Sequence, residues 1–240
     1  PDGPAYPPPV LVIDVDEASL AKLGQWPWPR FYIAEMLRRL NDAGAAVVAL
    51  DIVFSEPDRT SPANVRTSYQ RFGDVYGLRS LAPSAAMEVD HDRILGDMIA
   101  QTYTVLSAFP TNNAQHDRLP PRPSGIAVKG GATTEDLSKI VEHYAGATVN
   151  LPILSQDAKG IGMIALGLDT GITVRSVPMA ITVADDPYLY PALAIEALRV
   201  AQDTGSFVVR TTAAEDVVGA GRVDRVDVER AVHDSFSIAA

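Results

Sequence analysis

The feature that most constrains this chain is the stretch from Val10 to Asp58, VLVIDVDEASLAKLGQWPWPRFYIAEMLRRLNDAGAAVVALDIVFSEPD, which reads as strand, helix, strand. Val10 to Ile13 is a short apolar, mostly β-branched run that stops at Asp14-Val15-Asp16. Ala45 to Leu50 is a second apolar run, and it stops at Asp51. Pro29 opens a helix between them, at a position where its missing N–H costs nothing. Ile33, Met36, Leu37 and Leu40 recur at helical spacing and give that helix one apolar face. Gly44 predicts a left-handed cap at its end. Two strands joined by a crossover helix are expected to be parallel, with a right-handed connection. Open α/β sheets bind ligands beyond the carboxyl ends of their strands. Asp14, Asp16 and Asp51 are therefore candidates for one shared acidic rim.

The residues around this unit add local expectations. Residues 1–9, PDGPAYPPP, hold five prolines and read as an extended linker. Asp16 predicts a cap for a short helix over Glu17 to Leu23, with Ser19 in its first turn and Gly24 at its end. Trp26-Pro27-Trp28-Pro29 predicts a rigid elbow, because each proline fixes its own φ and pushes its predecessor into extended geometry. The two indoles on that elbow either plug the end of the sheet or wall a pocket.

The rest of the chain is less regular. Ser55 to Ala86 is long, polar and turn-rich, which predicts a mobile lid or a small excursion. Asp92 is expected to cap a helix whose buried stripe is Ile94, Leu95, Met98 and Ile99. Tyr103 to Phe109 follows as a third strand. Thr111 to Ala132 reads as a second irregular loop, and Thr134 starts a short helix running to about Tyr144. Gly162 to Leu168 and Ile172 to Val183, around a turn at Asp169-Thr170-Gly171, read as an antiparallel hairpin. Pro191 opens a helix with Leu193, Ala194, Ala197, Leu198 and Ala201 on one face. Ser206 to Arg210 is a strand, and Val223 to Val228 a weaker one. The fold class expected is α/β: a partly parallel central sheet with flanking helices, long loop insertions and an antiparallel hairpin.

Composition excludes several classes of function. The 240-residue chain is 47% apolar, enough for a core, so it is not a disordered chain. A formal net charge of −10 disfavours nucleic acid and anionic membrane surfaces as partners. With no cysteine, disulfides and thiolate chemistry are absent. No apolar run approaches the ~18 residues of a membrane span. Pro1, not Met, stands first, so the chain is expected to be part of a longer gene product.

Three groups of residues could carry chemistry. Asp14, Asp16 and Asp51 could hold Mg²⁺ or Ca²⁺ through hard oxygen ligands, or clamp a cationic group; equally, Asp16 caps a helix and Asp51 satisfies loop amides. Trp28, Arg30 and Phe54 could bind a ligand by stacking and a charge-assisted hydrogen bond; equally, the tryptophans are core and Arg30 pairs with Asp16 or Asp51. Asp14-x-Asp16 after a first strand also mimics a haloacid-dehalogenase-type phosphatase with Asp14 as nucleophile and Lys159 and Asp185-Asp186 as its remaining parts. That fit is poor, because the second strand should end in Ser or Thr and ends in Asp51. No P-loop, G-x-S-x-G elbow or G-x-G-x-x-G occurs, and His91, His116, His143 and His233 are scattered.

The same stretch carries a family resemblance. Ile13-Asp14-x-Asp16-x-x-Ser19, Gly24-x-Trp26-Pro27-Trp28-Pro29-Arg30, Gly44 and Asp51-Ile52-Val53-Phe54-Ser55-Glu56-Pro57 resemble the CHASE2 domain. Leu151-Pro152, Gly160-x-Gly162, Asp169-x-Gly171, Arg175-x-x-Pro178 and Pro191-x-Leu193 follow in the family's order. The family's closing G-K-rich strand and the segment after it do not occur, so residues 10–240 are expected to be a single domain truncated at its C-terminal end. The resemblance implies an extracytoplasmic sensory module of a bacterial membrane receptor, set between membrane helices of its own outside this stretch. It implies a cytoplasmic output, with adenylate cyclase foremost and histidine kinase, diguanylate cyclase or protein kinase beside it. A homodimer and a small-molecule or ionic ligand are expected, with no cofactor and no catalytic residue in this stretch. Residues and resemblance together place the ligand at Asp14, Asp16, Ser19, Trp28, Arg30, Asp51, Phe54 and Ser55.

Overall fold

The computed structural model describes residues 10–77, 88–113, 121, 124–129, 137, 141–165, 177–211, 223–229 and 235–239. Its centre is β2 (Thr104–Thr111), whose first five residues are all buried, as a strand covered on both faces requires. β1 (Val48–Leu50) and β6 (Gly160–Met163) flank β2, both parallel to it. Further along, β2 takes β5 (Gly146–Thr148) as an antiparallel neighbour. A second sheet runs β11-β10-β9-β3 (Ser235–Ala239, Val223–Glu229, Ser206–Thr211, Gly125–Lys129). A third runs β4-β7-β8 (Glu142–Tyr144, Ala180–Val183, Asp186–Pro191). Both contain one parallel and at least one antiparallel pairing, so the fold is mixed α/β.

Helices cover the parallel strands. α2 (Arg30–Asp42) packs on α4 (His91–Gln101), and α4 on the single turn α5 (Pro152–Ser155). α6 (Leu193–Ala201) lies against β6 and β2. Ile33, Ala34 and Leu37 of α2 join Leu95 and Ile99 of α4, Leu50, Phe54, Leu106 and Met163 in one core. A second cluster, Leu189, Ala192, Ile195, Phe207 and Val209, ties α6 to β8 and β9. Gly162 lets α6 lie close against β6. A Cβ there would stand 2.8 Å from the Leu193 backbone nitrogen, so the start of α6 sits directly on the strand. None of the helices among the described residues is long and apolar enough to cross a membrane.

Several elements follow the sequence closely. α1 spans Glu17–Leu23, capped by Asp16, whose carboxylate accepts the Ser19 N–H at 2.8 Å. Gly24 closes it at φ 91°. The apolar face of α2 is the expected one, with Ile33 and Leu37 buried, Met36 and Leu40 at its margin, and Gly44 just past its end at φ 85°. The strands at Thr104, Ser206 and Val223 also stand where the apolar runs put them.

Other expectations are overturned. Val10 to Ile13 is not a strand: it pairs with nothing among the described residues and is exposed. The second run forms a strand only over Val48–Leu50, and its parallel partner is β2. The expected lid between Ser55 and Ala86 contains α3 (Pro62–Tyr76), a four-turn helix. Ser61-Pro62 is a helix start, and the polar face that suggested a loop is a solvated helix face. Asp90, not Asp92, caps α4, accepting the Asp92 N–H at 2.9 Å, and Ile94 of the expected stripe is exposed. The loop from Thr111 to Ala132 includes β3. The helix expected from Thr134 begins outside the described residues, and its far end, Glu142–Tyr144, is strand β4.

The hairpin is displaced too. β6 joins β2 instead of the following strand, and β7 turns back on β8 through Ala184-Asp185, with Ala184 at φ 52°. The predicted turn at 169–171 lies outside the described residues. Pro191 ends β8 and does not open α6, whose buried face is Ile195, Glu196, Arg199 and Val200. A charged pair occupies the core side of that helix because Arg199 reaches Glu196 at 2.7 and 2.9 Å and also the carbonyls of Lys159 and Thr204. A reading by apolar spacing alone assigns such residues to the solvent face.

Candidate functional site

The segment after β1 runs without secondary structure from Asp51 to Asp58 and is held by side chains from distant parts of the chain. Asn150 accepts the Phe54 N–H at 2.8 Å and donates to the Ser107 carbonyl of β2 at 2.7 Å. The Leu151 N–H donates to the Phe54 carbonyl at 2.8 Å. The Phe54 N–H and the Ser107 carbonyl are buried backbone groups that the Asn150 amide satisfies, tying the segment after β1 to β2.

Arg30 is the centre of the site. Pro29 leaves α2 without a side-chain cap, so the Arg30 N–H takes Asp58 Oδ2 at 2.8 Å across 28 residues. The guanidinium is buried. Its Nε donates to Asp92 Oδ1 at 2.9 Å, its Nη2 to the Glu56 carbonyl at 2.6 Å, and its carbon lies 4.4 Å from the Phe54 ring centroid. A cation under an aromatic face, charge-paired and hydrogen-bonded, meets the conditions for burying a charge.

Asp58 and Asp92 complete a network at the converging starts of α2, α3 and α4. Asp92 Oδ2 accepts the Asp58 N–H at 2.8 Å. Asp58 Oδ1 accepts the N–H and hydroxyl of Thr60 at 2.8 and 2.7 Å. The His91 Nδ1 lies 3.1 Å from Asp58 Oδ2. Ser61 Oγ accepts the His91 N–H at 2.9 Å, and Asn64 Nδ2 donates to the Asp58 carbonyl at 2.8 Å. Carboxylates suit this place, since helix starts present free N–H groups and the positive end of the dipole. Burial pushes the Asp58 carboxyl upward, but hydrogen bonds from Arg30, Thr60 and His91 outweigh it, so its pKa sits below the ordinary 3.8. An ionised Asp58 can only accept, so His91 carries its proton on Nδ1.

The sequence-predicted residues divide into those this network includes and those it does not. Arg30 and Phe54 are brought together and buried. Arg30 pairs with Asp92, not with Asp16 or Asp51. Trp28 is half-buried; its indole N–H donates to the Gly24 carbonyl at 2.8 Å, and Trp26 meets it edge-on at 5.5 Å. Trp26, also half-buried, packs against the main core cluster. Asp51 and Ser55 are exposed on the held segment. Asp14 is exposed with no strand before it, and Asp16 and Ser19 are joined to each other in the α1 cap, where their hydrogen bonds lower the Asp16 pKa. No group of three acidic, His or Cys side chains able to hold a metal occurs among the described residues.

The phosphatase alternative also fails on geometry. It needs Asp14 at the end of a central strand, and residues 10–16 form none. Asp186 accepts from the Tyr190 hydroxyl within its own hairpin. Asp58, Thr60, Ser61, His91, Asp92 and Asn150 were not singled out as site residues by the sequence. The signal available for the first three was D-R-T-S-P, an Asp and Ser/Thr turn leading into a proline-started helix.

Compared with known proteins, the chain matches the family model of the CHASE2 domain over residues 2–234. Searches of curated proteins and of solved structures returned no match. CHASE2 is an extracytoplasmic sensory family of receptors and not a catalytic one. A match over nearly the whole length, together with the mixed α/β architecture, means that this chain belongs to the CHASE2 domain family.

Proposed function

We propose that residues 10–240 act as one extracytoplasmic ligand-sensing unit of a bacterial membrane receptor. The observation that carries this reading is the family match over residues 2–234. The ligand is a small molecule or ion, met at the exposed Asp51 and Ser55, with Trp28, Asp14, Asp16 and Ser19 as the further candidate contacts. Arg30 and Phe54 act beneath that surface. They position the segment and do not touch the ligand first, since Arg30 is only 8% exposed.

The mechanism is a shift between two arrangements of the 51–61 segment, held and released. A ligand on Asp51 and Ser55 moves that equilibrium by its differential affinity for the two. Arg30, Asp58 and Asp92 pass the change to α2, α3 and α4 together, because all three helix starts share those carboxylates. The output is a cytoplasmic adenylate cyclase or kinase reached through the receptor's own membrane helices, working as a homodimer.

The test is topological first. Alkaline phosphatase and green fluorescent protein are fused after residue 240 in the full gene product. Active phosphatase with a dark fluorescent protein supports the reading, and the reverse overturns it. The site is tested with Asp51→Ala and Ser55→Ala in the full receptor, both exposed and harmless to the fold. Output unchanged in both places the ligand elsewhere.

A further inference from the structure

Two surfaces stand without a strand partner among the described residues. Val10, Leu11, Val12 and Ile13 are 73%, 76%, 83% and 53% exposed, an unusual state for a run of β-branched and apolar residues in a folded chain. Their backbone belongs to no strand. β1 stands at the edge of its sheet: its strand partner among the described residues is β2 alone. The Val48 N–H points to β2, donating to the Tyr103 carbonyl at 2.9 Å. Alternation along a parallel strand turns the N–H and C=O of Ala49 to the open side. Ala49 and, just past the strand, Asp51 are exposed. An apolar run of strand-forming residues without an edge and an edge without a strand are the two halves of a β-augmentation.

We propose that Val10–Ile13 of one copy docks as a parallel strand on β1 of a second copy, and the reverse, forming a two-fold dimer. The second copy is favoured over the same chain because within the chain the run stands 53–83% exposed and does not pair with β1, whose strand partner among the described residues is β2. Reciprocal exchange closes the assembly and leaves no free end. The open surface of Val10 to Ile13 is roughly 500 Å² per copy. Burying half to all of it in both directions, with the matching surface of the receiving edge, removes about 1,000–2,000 Å², the range of a specific interface. The end of each run sets the register: Ile13 beside Leu50, and so Val12 beside Ala49. This deepens the homodimer of the receptor reading, yet its test reads association alone and leaves the topology experiment untouched.

The chain has no cysteine, so introduced thiols report without background. Val12→Cys and Ala49→Cys are made in separate batches of the 240-residue chain, mixed and oxidised, and also combined in one chain. Neighbouring strands bring such pairs within disulfide reach. The expected result is a disulfide-linked dimer in the mixture, absent when either variant is oxidised alone. Light scattering should show the unmodified chain as a dimer and Val12→Asp as a monomer, its dissociation constant raised at least tenfold. Val12 is exposed, so that variant keeps the fold. A chain monomeric at hundreds of micromolar, or a disulfide closing within single chains of the double variant, overturns the proposal.

Discussion

Asp92→Ala is the perturbation that tests the buried network most directly. It removes the acceptor of the Arg30 Nε bond at 2.9 Å and of the Asp58 N–H bond at 2.8 Å. A hydrogen bond to a charged group contributes about 1.5–3 kcal/mol, and a stranded buried N–H costs about 1–3 kcal/mol. Arg30 keeps the Glu56 carbonyl and the Phe54 face, so its charge is only partly compensated. The sum, about 2.5–6 kcal/mol, brackets the roughly 3–5 kcal/mol lost on breaking a buried pair by deleting one partner, which is the loss expected here. For a chain of this size that lowers Tm by roughly 6–20 °C. Urea unfolding followed by tryptophan fluorescence reads it locally, because both tryptophans precede Arg30 by only a few residues. The double variant Arg30→Met/Asp92→Leu should recover much of the loss, since it strands no charge. A loss under about 1 kcal/mol for Asp92→Ala, or a double variant as unstable as the two single losses added, would refute the reasoning.

Three further outcomes are expected. Gly162→Ala forces a Cβ onto the Leu193 backbone, which cannot rotate away as a side chain can, so chemical denaturation should show a loss of about 3 kcal/mol or more. Asp58 has a lowered folded pKa, so its contribution is present above its unfolded value near 3.8 and is lost as pH falls through the folded one; unfolding midpoints between pH 5 and pH 2 should fall steeply, and Asp58→Asn should flatten that part of the curve. Arg199→Met strands the fully buried Glu196 and should destabilise by about 3–5 kcal/mol, whereas Arg38→Ala, which breaks exposed pairs to Glu35 and Asp42, should leave the urea midpoint nearly unchanged.

What was legible in the sequence was local. The Asp16 cap, Gly24, the α2 face and Gly44 each depend on residues within one or two turns, and each stands as read. The family could be named from the W-P-W-P-R and D-I-V-F-S-E-P blocks. What was not legible depended on distance. Arg30 had several carboxylates to choose from, and its partner lies 62 residues away on another helix. The buried face of α6 misled because a Glu–Arg pair with backbone carbonyls around it can enter a core that hydropathy assigns to apolar residues. Val10–Ile13 has strand composition without a strand, since composition records what could pair and not whether a neighbour is present.

The Asn150 clamp bears on how the chain comes into being. Its amide ties Phe54, 96 residues earlier, to the carbonyl of Ser107. Synthesis adds roughly 5–20 residues per second. The segment after β1 therefore waits roughly 5–20 s after leaving the ribosome before the residue that fastens it exists. Throughout that interval Phe54 and its unpaired N–H stay open to other chains and to chaperones, and the N-terminal third acquires its final shape only when the middle of the chain arrives.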